Sequence, residues 1–132
     1  MIVVDTSALV AILLNEPERV AMLRELYRAK TALISVPTVL EARMVIQGRK
    51  GQAGVLVLNE ILAQSQFEIV PPSTKELESA YAAFVVYGKG GGHPASLNFG
   101  DLFSYALAKT RNLPLLCKGN DFKQTDLRLS VP

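Results

Sequence analysis

Short β-branched and aliphatic runs at 2–4, 32–36, 67–70 and 114–117 are separated by longer stretches of helical character. The periodicity is clearest at 17–29, where apolar residues recur at 20, 23, 26 and 27, and at 74–88, where they recur at 77, 80, 81, 84 and 85. That spacing lays an apolar stripe along one helix face. Helices are expected over 7–14, 17–29, 38–48, 55–65, 74–88 and 101–112, with Gly48 ending the third and 51–54 a break. A last run at 127–131 reads as an edge strand. Strands that alternate with helices pair in parallel, so the chain is expected to form an α/β fold around a parallel sheet.

The 132 residues suffice for one domain, spanning 1–132. With 49% hydrophobic and 20% charged residues the chain carries ample apolar material for a core and does not read as a disordered tail. Its unbroken apolar runs, such as the seven residues 8–14, stay far short of the roughly 20 that a membrane helix needs. Asp5 interrupts the opening apolar run, and no basic segment precedes it, so a secretory leader is not expected. Cys117 is the single cysteine, which rules out an internal disulfide and fits a reducing, cytoplasmic setting. Its place in PLLC reads as core.

In a parallel sheet the strand carboxyl ends and the amino ends of the following helices lie along one edge, where the functional crevice forms. Four acids fall at such positions. Asp5 ends the first strand, Glu41 lies early in the helix after the second, Asp101 opens the helix after a glycine-rich loop, and Asp121 follows PLLC. Carboxylates gathered in a partly buried crevice repel one another and call for a positive charge among them. No lysine or arginine adjoins Asp5 or Asp101. A hard divalent cation, Mg²⁺ or Mn²⁺, is the natural occupant. One ion or two would serve, and a pair about 4 Å apart can clamp both the attacking and the leaving oxygen of a phosphodiester.

Each acid also has a plainer reading. Asp101 at a helix start suits an N-cap, stabilising by about 1 kcal/mol. Thr38 and Glu41 match the spacing of a capping box. Asp121 in GND suits a turn. Asp5 is the hardest to explain as structure, because an apolar residue would serve the core better. Ser7 reads as both a partner of Asp5 and a cap for the helix that follows. Asn98 reads as a contact to the metal shell or scissile phosphate, or as an amide that orders the loop.

The loop GKGGGHP matches neither the Walker pattern nor G-x-G-x-x-G, and it follows a helix rather than a strand. It reads as a mobile loop near the site, with Lys89 available to phosphate and His93 a loop contact rather than a ligand. The net charge is +2, but setting the four site acids aside leaves 14 basic side chains facing 8 acidic ones. Arg43, Arg49, Lys50, Lys89 and Lys118 fall on or near loops that can flank the crevice, an arrangement suited to a phosphodiester polymer or to ordinary solubility.

Four stretches, IVVDTSALVAIL, SVPTVLEA, HPASLNFGDLFSYALAKT and LLCKGNDFKQTDL, in this order and spacing, resemble a PIN domain of the VapC toxin type over essentially the whole length. The family's four acids match Asp5, Glu41, Asp101 and Asp121. The resemblance implies a three-layer sandwich with a central, mainly parallel sheet flanked by helices. It implies a Mg²⁺- or Mn²⁺-dependent endoribonuclease acting on structured RNA such as tRNA or a ribosomal loop, a homodimer, and a cognate antitoxin whose basic side chain approaches the acids. It also brings Asp126 forward as a residue that helps complete the site. Asp5, Asp101 and Asp121 would hold the metal, with Glu41 binding it or orienting water. The apolar faces of 17–29 and 55–65 are candidate partner surfaces.

Two other readings compete. On the same fold the chain would be a non-catalytic RNA- or protein-binding module whose acids only cap helices, and such a module would be indifferent to EDTA. A metal-dependent phosphatase is the third reading. The DxD motif it would favour is missing, since position 7 is serine.

Overall fold

The computed structural model describes residues 1–130. Four strands, β1 (Ile2–Val4), β2 (Ala32–Ser35), β3 (Phe67–Val70) and β4 (Leu115–Leu116), form one sheet in the order β3-β2-β1-β4. Every pairing is parallel, with Val3 opposite Leu33 on one side and Leu115 on the other. The helices are α1 (Thr6–Leu13), α2 (Arg19–Ala29), α3 (Val36–Leu62), α4 (Thr74–Tyr87) and α5 (Phe99–Arg111).

The strands divide their side chains between two cores, as period-two geometry requires. Ile2, Val4, Ala32, Ile34 and Leu116 pack with Leu9, Ile12, Met22, Leu26, Ile46 and Leu58 of α1, α2 and α3. Val3, Leu33 and Leu115 pack on the opposite face with Ala83, Leu102, Tyr105 and Leu107 of α4 and α5. The result is the expected three-layer sandwich, its central strands apolar on both faces. Each fully buried aliphatic side chain contributes about 1.5–3 kcal/mol relative to exposure.

Several local expectations are corrected. The helices expected at 38–48 and 55–65 join in α3, broken only at Gly51, whose φ of 65° and ψ of −166° depart from the helix. Gly48 does not end a helix; the left-handed φ falls on Gly51, where a missing Cβ removes the steric penalty. The strand expected at 127–131 reduces to one parallel bridge between Leu129 and Leu115, and residue 131 lies outside the described residues. The glycine-rich loop is tied at its neck, where Leu97 N–H donates to Tyr87 O and Lys89 N–H to Leu97 O, both at 2.8 Å. Ala95 and Leu97 are buried within it. His93 accepts from Ala95 N–H through Nδ1 at 3.0 Å and meets the Tyr87 ring edge-on, as expected of a loop contact. Cys117 is buried core, and burial, followed by the nearby Asp5 charge, pushes its thiol up to about 12, out of nucleophilic range. Among the described residues, no helix is long and apolar enough to cross a membrane.

Candidate active site

The end of β1 delivers Asp5 to the carboxyl edge of the sheet. There it is the N-cap of α1, so it has a structural role that its apolar setting concealed. Its Oδ2 accepts from Ser7 N–H at 3.1 Å and Ser7 Oγ–H at 2.7 Å, and its Oδ1 accepts from Ser104 Oγ–H at 2.6 Å. Only 3% of Asp5 is exposed. Three donors on one carboxylate offset its desolvation. The Ser7 hydroxyl also accepts from Lys118 N–H at 2.9 Å, fastening the segment after β4 to the end of β1. Ser7 therefore serves Asp5 and the chain crossing, while the cap itself is Asp5.

Glu41 is not part of a capping box. Helix α3 starts at Val36, with Pro37 in its first turn, so Thr38 is already inside the helix and Glu41 lies in its second turn. Thr6 Oγ1–H donates to Glu41 Oε1 at 2.6 Å. The other oxygen lies over Gly100, where an added Cβ would collide with Oε2. Gly100 thus leaves the space in which Glu41 reaches the start of α5.

Asp101 stands at the third position of α5, not at its cap. Asn98 is the cap, and the two form a capping box: Asp101 N–H donates to Asn98 Oδ1 at 2.9 Å, and Asn98 N–H donates to Asp101 Oδ2 at 3.0 Å. Asn98 therefore orients Asp101, its side-chain oxygen being committed. Burial raises the Asp101 carboxyl to about 6, and the charges of Asp5, Glu41 and Asp121 add to that rise against the lowering hydrogen bond from Asn98.

Asp5, Glu41 and Asp101 line one cavity of about 250 Å³, together with Thr6, Ser7, Glu16 and Lys118. Asp121 caps a short turn at Phe122–Gln124 without a side-chain cap bond, is exposed, and stands close enough for its charge to act on Asp101. It borders the cavity group electrostatically without lining it. Asp126 is a correction. It accepts from Tyr105 Oη–H at 2.6 Å and pairs with Lys109 at 2.7 Å, further along α5, and it does not line the cavity. The Tyr105 and Lys109 donors claim it first.

Ser104 and Glu16 escaped the sequence reading, and Thr38 was read only as a cap. Ser104 lies three residues beyond Asp101, on the same helix face, and that spacing was an available signal. Thr38 joins Ser104 through a 3.4 Å hydroxyl contact. Glu16 reaches the cavity from the turn after α1, and no local pattern marks it. A larger hollow, about 580 Å³, lies elsewhere, lined by apolar side chains of α4 and α5 such as Leu77, Tyr81 and Phe103. It offers no chemistry of its own.

The donor set of the acidic cavity is entirely oxygen, which suits Mg²⁺ or Mn²⁺ over softer ions. Among the described residues Asp101 has no basic partner, and it is crowded by like charge, the condition that a cation relieves. Among the described residues no three acidic, histidine or cysteine side chains form a ready-made cage. Mg²⁺ takes one or two carboxylates directly and keeps several waters, so it does not require such a cage. The residues present fit such an ion.

Compared with protein families, the chain matches the PIN domain over residues 2–127. The chain belongs to the PIN-domain family. This PIN domain is 39% identical over 129 residues to the ribonuclease VapC28 of Mycobacterium tuberculosis, covering 98% of this chain and 97% of that protein. It superposes on the crystal structure of Mycobacterium tuberculosis VapC20, a toxin that cleaves the sarcin–ricin loop, with a TM-score of 0.80, 18% identity and full coverage of both chains. It also matches a toxin–antitoxin complex from Klebsiella pneumoniae with a TM-score of 0.68 and 23% identity, over 92% of this chain and 90% of that one. At those identities the two structures speak for the PIN fold alone.

Proposed function

We propose that this PIN domain is a metal-dependent endoribonuclease and the toxin of a toxin–antitoxin pair, acting in the cytoplasm on structured RNA such as tRNA or rRNA. The observation that carries the reading is the convergence of Asp5, Glu41 and Asp101 on one cavity from three separate elements. Caps alone would not require it. The names of the relatives supply the substrate class.

Asp5 and Asp101, with Asp121 beside them, would hold Mg²⁺ or Mn²⁺, which when bound supplies Lewis-acid activation of water and neutralises charge on the phosphate. The protein's own part is positional. Ser7 and Ser104 fix both oxygens of Asp5, and Asn98 fixes Asp101. Thr6 holds one oxygen of Glu41, leaving Oε2 to orient the attacking water. Such pre-set polar groups need no reorganisation as charge develops.

Two partners belong to the same reading. A cognate antitoxin fits the toxin–antitoxin kinship. For a second copy of the chain we look to the α4 face, where Leu77 and Tyr81 are more than 60% exposed, beside Phe99 at 77%. The three line one hollow together, and exposed apolar patches mark interaction sites when they are large. Equilibrium sedimentation is expected to give twice the 14.3 kDa chain mass, and Tyr81→Glu to return the single-chain mass.

The activity test is direct. Purified protein incubated with total tRNA and ribosomal RNA in Mg²⁺ should create discrete new 5′ ends, lost with EDTA and restored by Mg²⁺ or Mn²⁺. Absence of discrete ends, or cleavage that EDTA leaves untouched, would overturn the reading in favour of a binding module or another chemistry.

A further inference from the structure

Among the described residues, Lys118 is the single basic side chain lining the acidic cavity. Its backbone is anchored there, since its N–H donates to Ser7 Oγ and that hydroxyl donates to Asp5 Oδ2. The start of the side chain is therefore two hydrogen bonds from a central carboxylate. Its ammonium stands 3.1 Å from Glu16 Oε2 and 3.5 Å from Glu18 Oε2. Glu18 Oε2 is buried without a hydrogen-bond partner, so charge attraction to Lys118 is what compensates it.

An RNA strand entering this cavity meets Asp5, Glu16, Glu41 and Asp101, all of its own sign. A bound cation offsets charge at the centre but not along the rim. Lys118 carries three N–H donors. Its ion pairs with Glu16 and Glu18 rest on charge attraction, so a donor is open to a phosphate oxygen. Its side chain is 37% exposed, and ion pairs this open are weak, so exchanging Glu16 for a phosphate oxygen is easy. We propose that Lys118 is a substrate-binding residue that takes a non-bridging phosphate oxygen of the RNA, while Glu16 and Glu18 hold it in place between turnovers. The inference rests on the nuclease reading above and adds to it the residue that seats the backbone.

The test uses the full chain carrying Asp101→Asn, which is expected not to cut, and a fluorescein-labelled random 20-nucleotide RNA followed by fluorescence anisotropy across a salt series. Lys118→Met should weaken binding about tenfold, as loss of one charged hydrogen bond implies. It should also flatten the salt slope by about 0.7, the value for one phosphate contact on a single strand. Lys118→Arg should keep most of the affinity. Lys109→Met, an equal charge change at the far end of α5, should leave the slope unchanged. Glu16→Gln added to Lys118→Met returns the cluster to its original charge; a direct phosphate contact predicts that binding stays weak. An unchanged slope in Lys118→Met, or full rescue by Glu16→Gln, overturns the proposal. Cleavage of total tRNA by the protein with Asp101 intact is read alongside. Cleavage with an unchanged Lys118→Met slope defeats Lys118 and spares the nuclease reading, whereas neither cleavage nor binding defeats both. Matching circular dichroism melts for the variants confirm that the fold is intact.

Discussion

Replacing Asp101 with asparagine is expected to abolish RNA cleavage and, at the same time, raise the melting temperature of the metal-free protein by a few degrees at neutral pH. The two effects share one cause. The carboxyl of Asp101 is lifted to about 6, first by burial and then by Asp5, Glu41 and Asp121, so its charge is held against repulsion when no cation is present. Asparagine keeps an oxygen to accept from Asn98 N–H, preserving the capping box while removing the charge. The pH dependence fixes the sign. Between about pH 4 and 6 the folded, metal-free chain binds a proton at Asp101 that the unfolded chain has released. Stability from this group therefore falls as pH rises through that window and is level above it. The gain of Asp101→Asn should accordingly be full at pH 7.5 and vanish near pH 4, measured by thermal melts in EDTA. Cleavage by the protein with Asp101 intact should in turn decline below pH 6, where a proton competes with the cation. A destabilised Asp101→Asn protein at neutral pH would contradict the proposed repulsion.

Asp5 should behave in the opposite way. Asp5→Ala removes the N-cap of α1, worth about 1 kcal/mol. It also strips Ser104 of its 2.6 Å acceptor in a fully buried position, leaving only the long contact to Thr38, which adds about 1–3 kcal/mol. A combined loss of about 2–4 kcal/mol should lower the melting temperature by roughly 10 °C. Asp5→Asn retains an acceptor and should lose far less stability, yet both variants should be inactive. Calorimetry with cleavage assays checks the split. An active Asp5→Asn protein would remove Asp5 from the chemistry and leave it a cap.

The contrast between these two acids shows what could be read from the chain alone. Alternating strand and helix patterns were enough for a parallel α/β fold, because the central runs at 2–4 and 32–35 are buried on both faces and the helices carry apolar stripes, while the layering came with the family resemblance. The four acids stood out because strand ends and helix starts share an edge. The roles of individual residues were harder. Asp5 looked purely functional because its cap depends on a turn, not on a periodic signal. Thr38 and Glu41 mimicked a capping box because nothing in the spacing revealed that α3 begins at Val36. Asp126 was drawn toward the site by family likeness, and only the folded chain shows Tyr105 and Lys109 claiming it. Glu16 and Lys118 meet across more than a hundred residues, a pairing that no local pattern can announce.

A crystal structure of the protein soaked in Mn²⁺, with the ion located by its anomalous scattering, tests the central claim most directly. The convergence of three acids predicts an ion in the cavity at the carboxyl edge of the sheet, with oxygens of Asp5 and Asp101 within direct coordination distance, about 2.1 Å for a Mg²⁺-like site, and Glu41 or Asp121 reached directly or through water. An empty cavity with Mn²⁺ bound at other acids, such as Asp126, would contradict it.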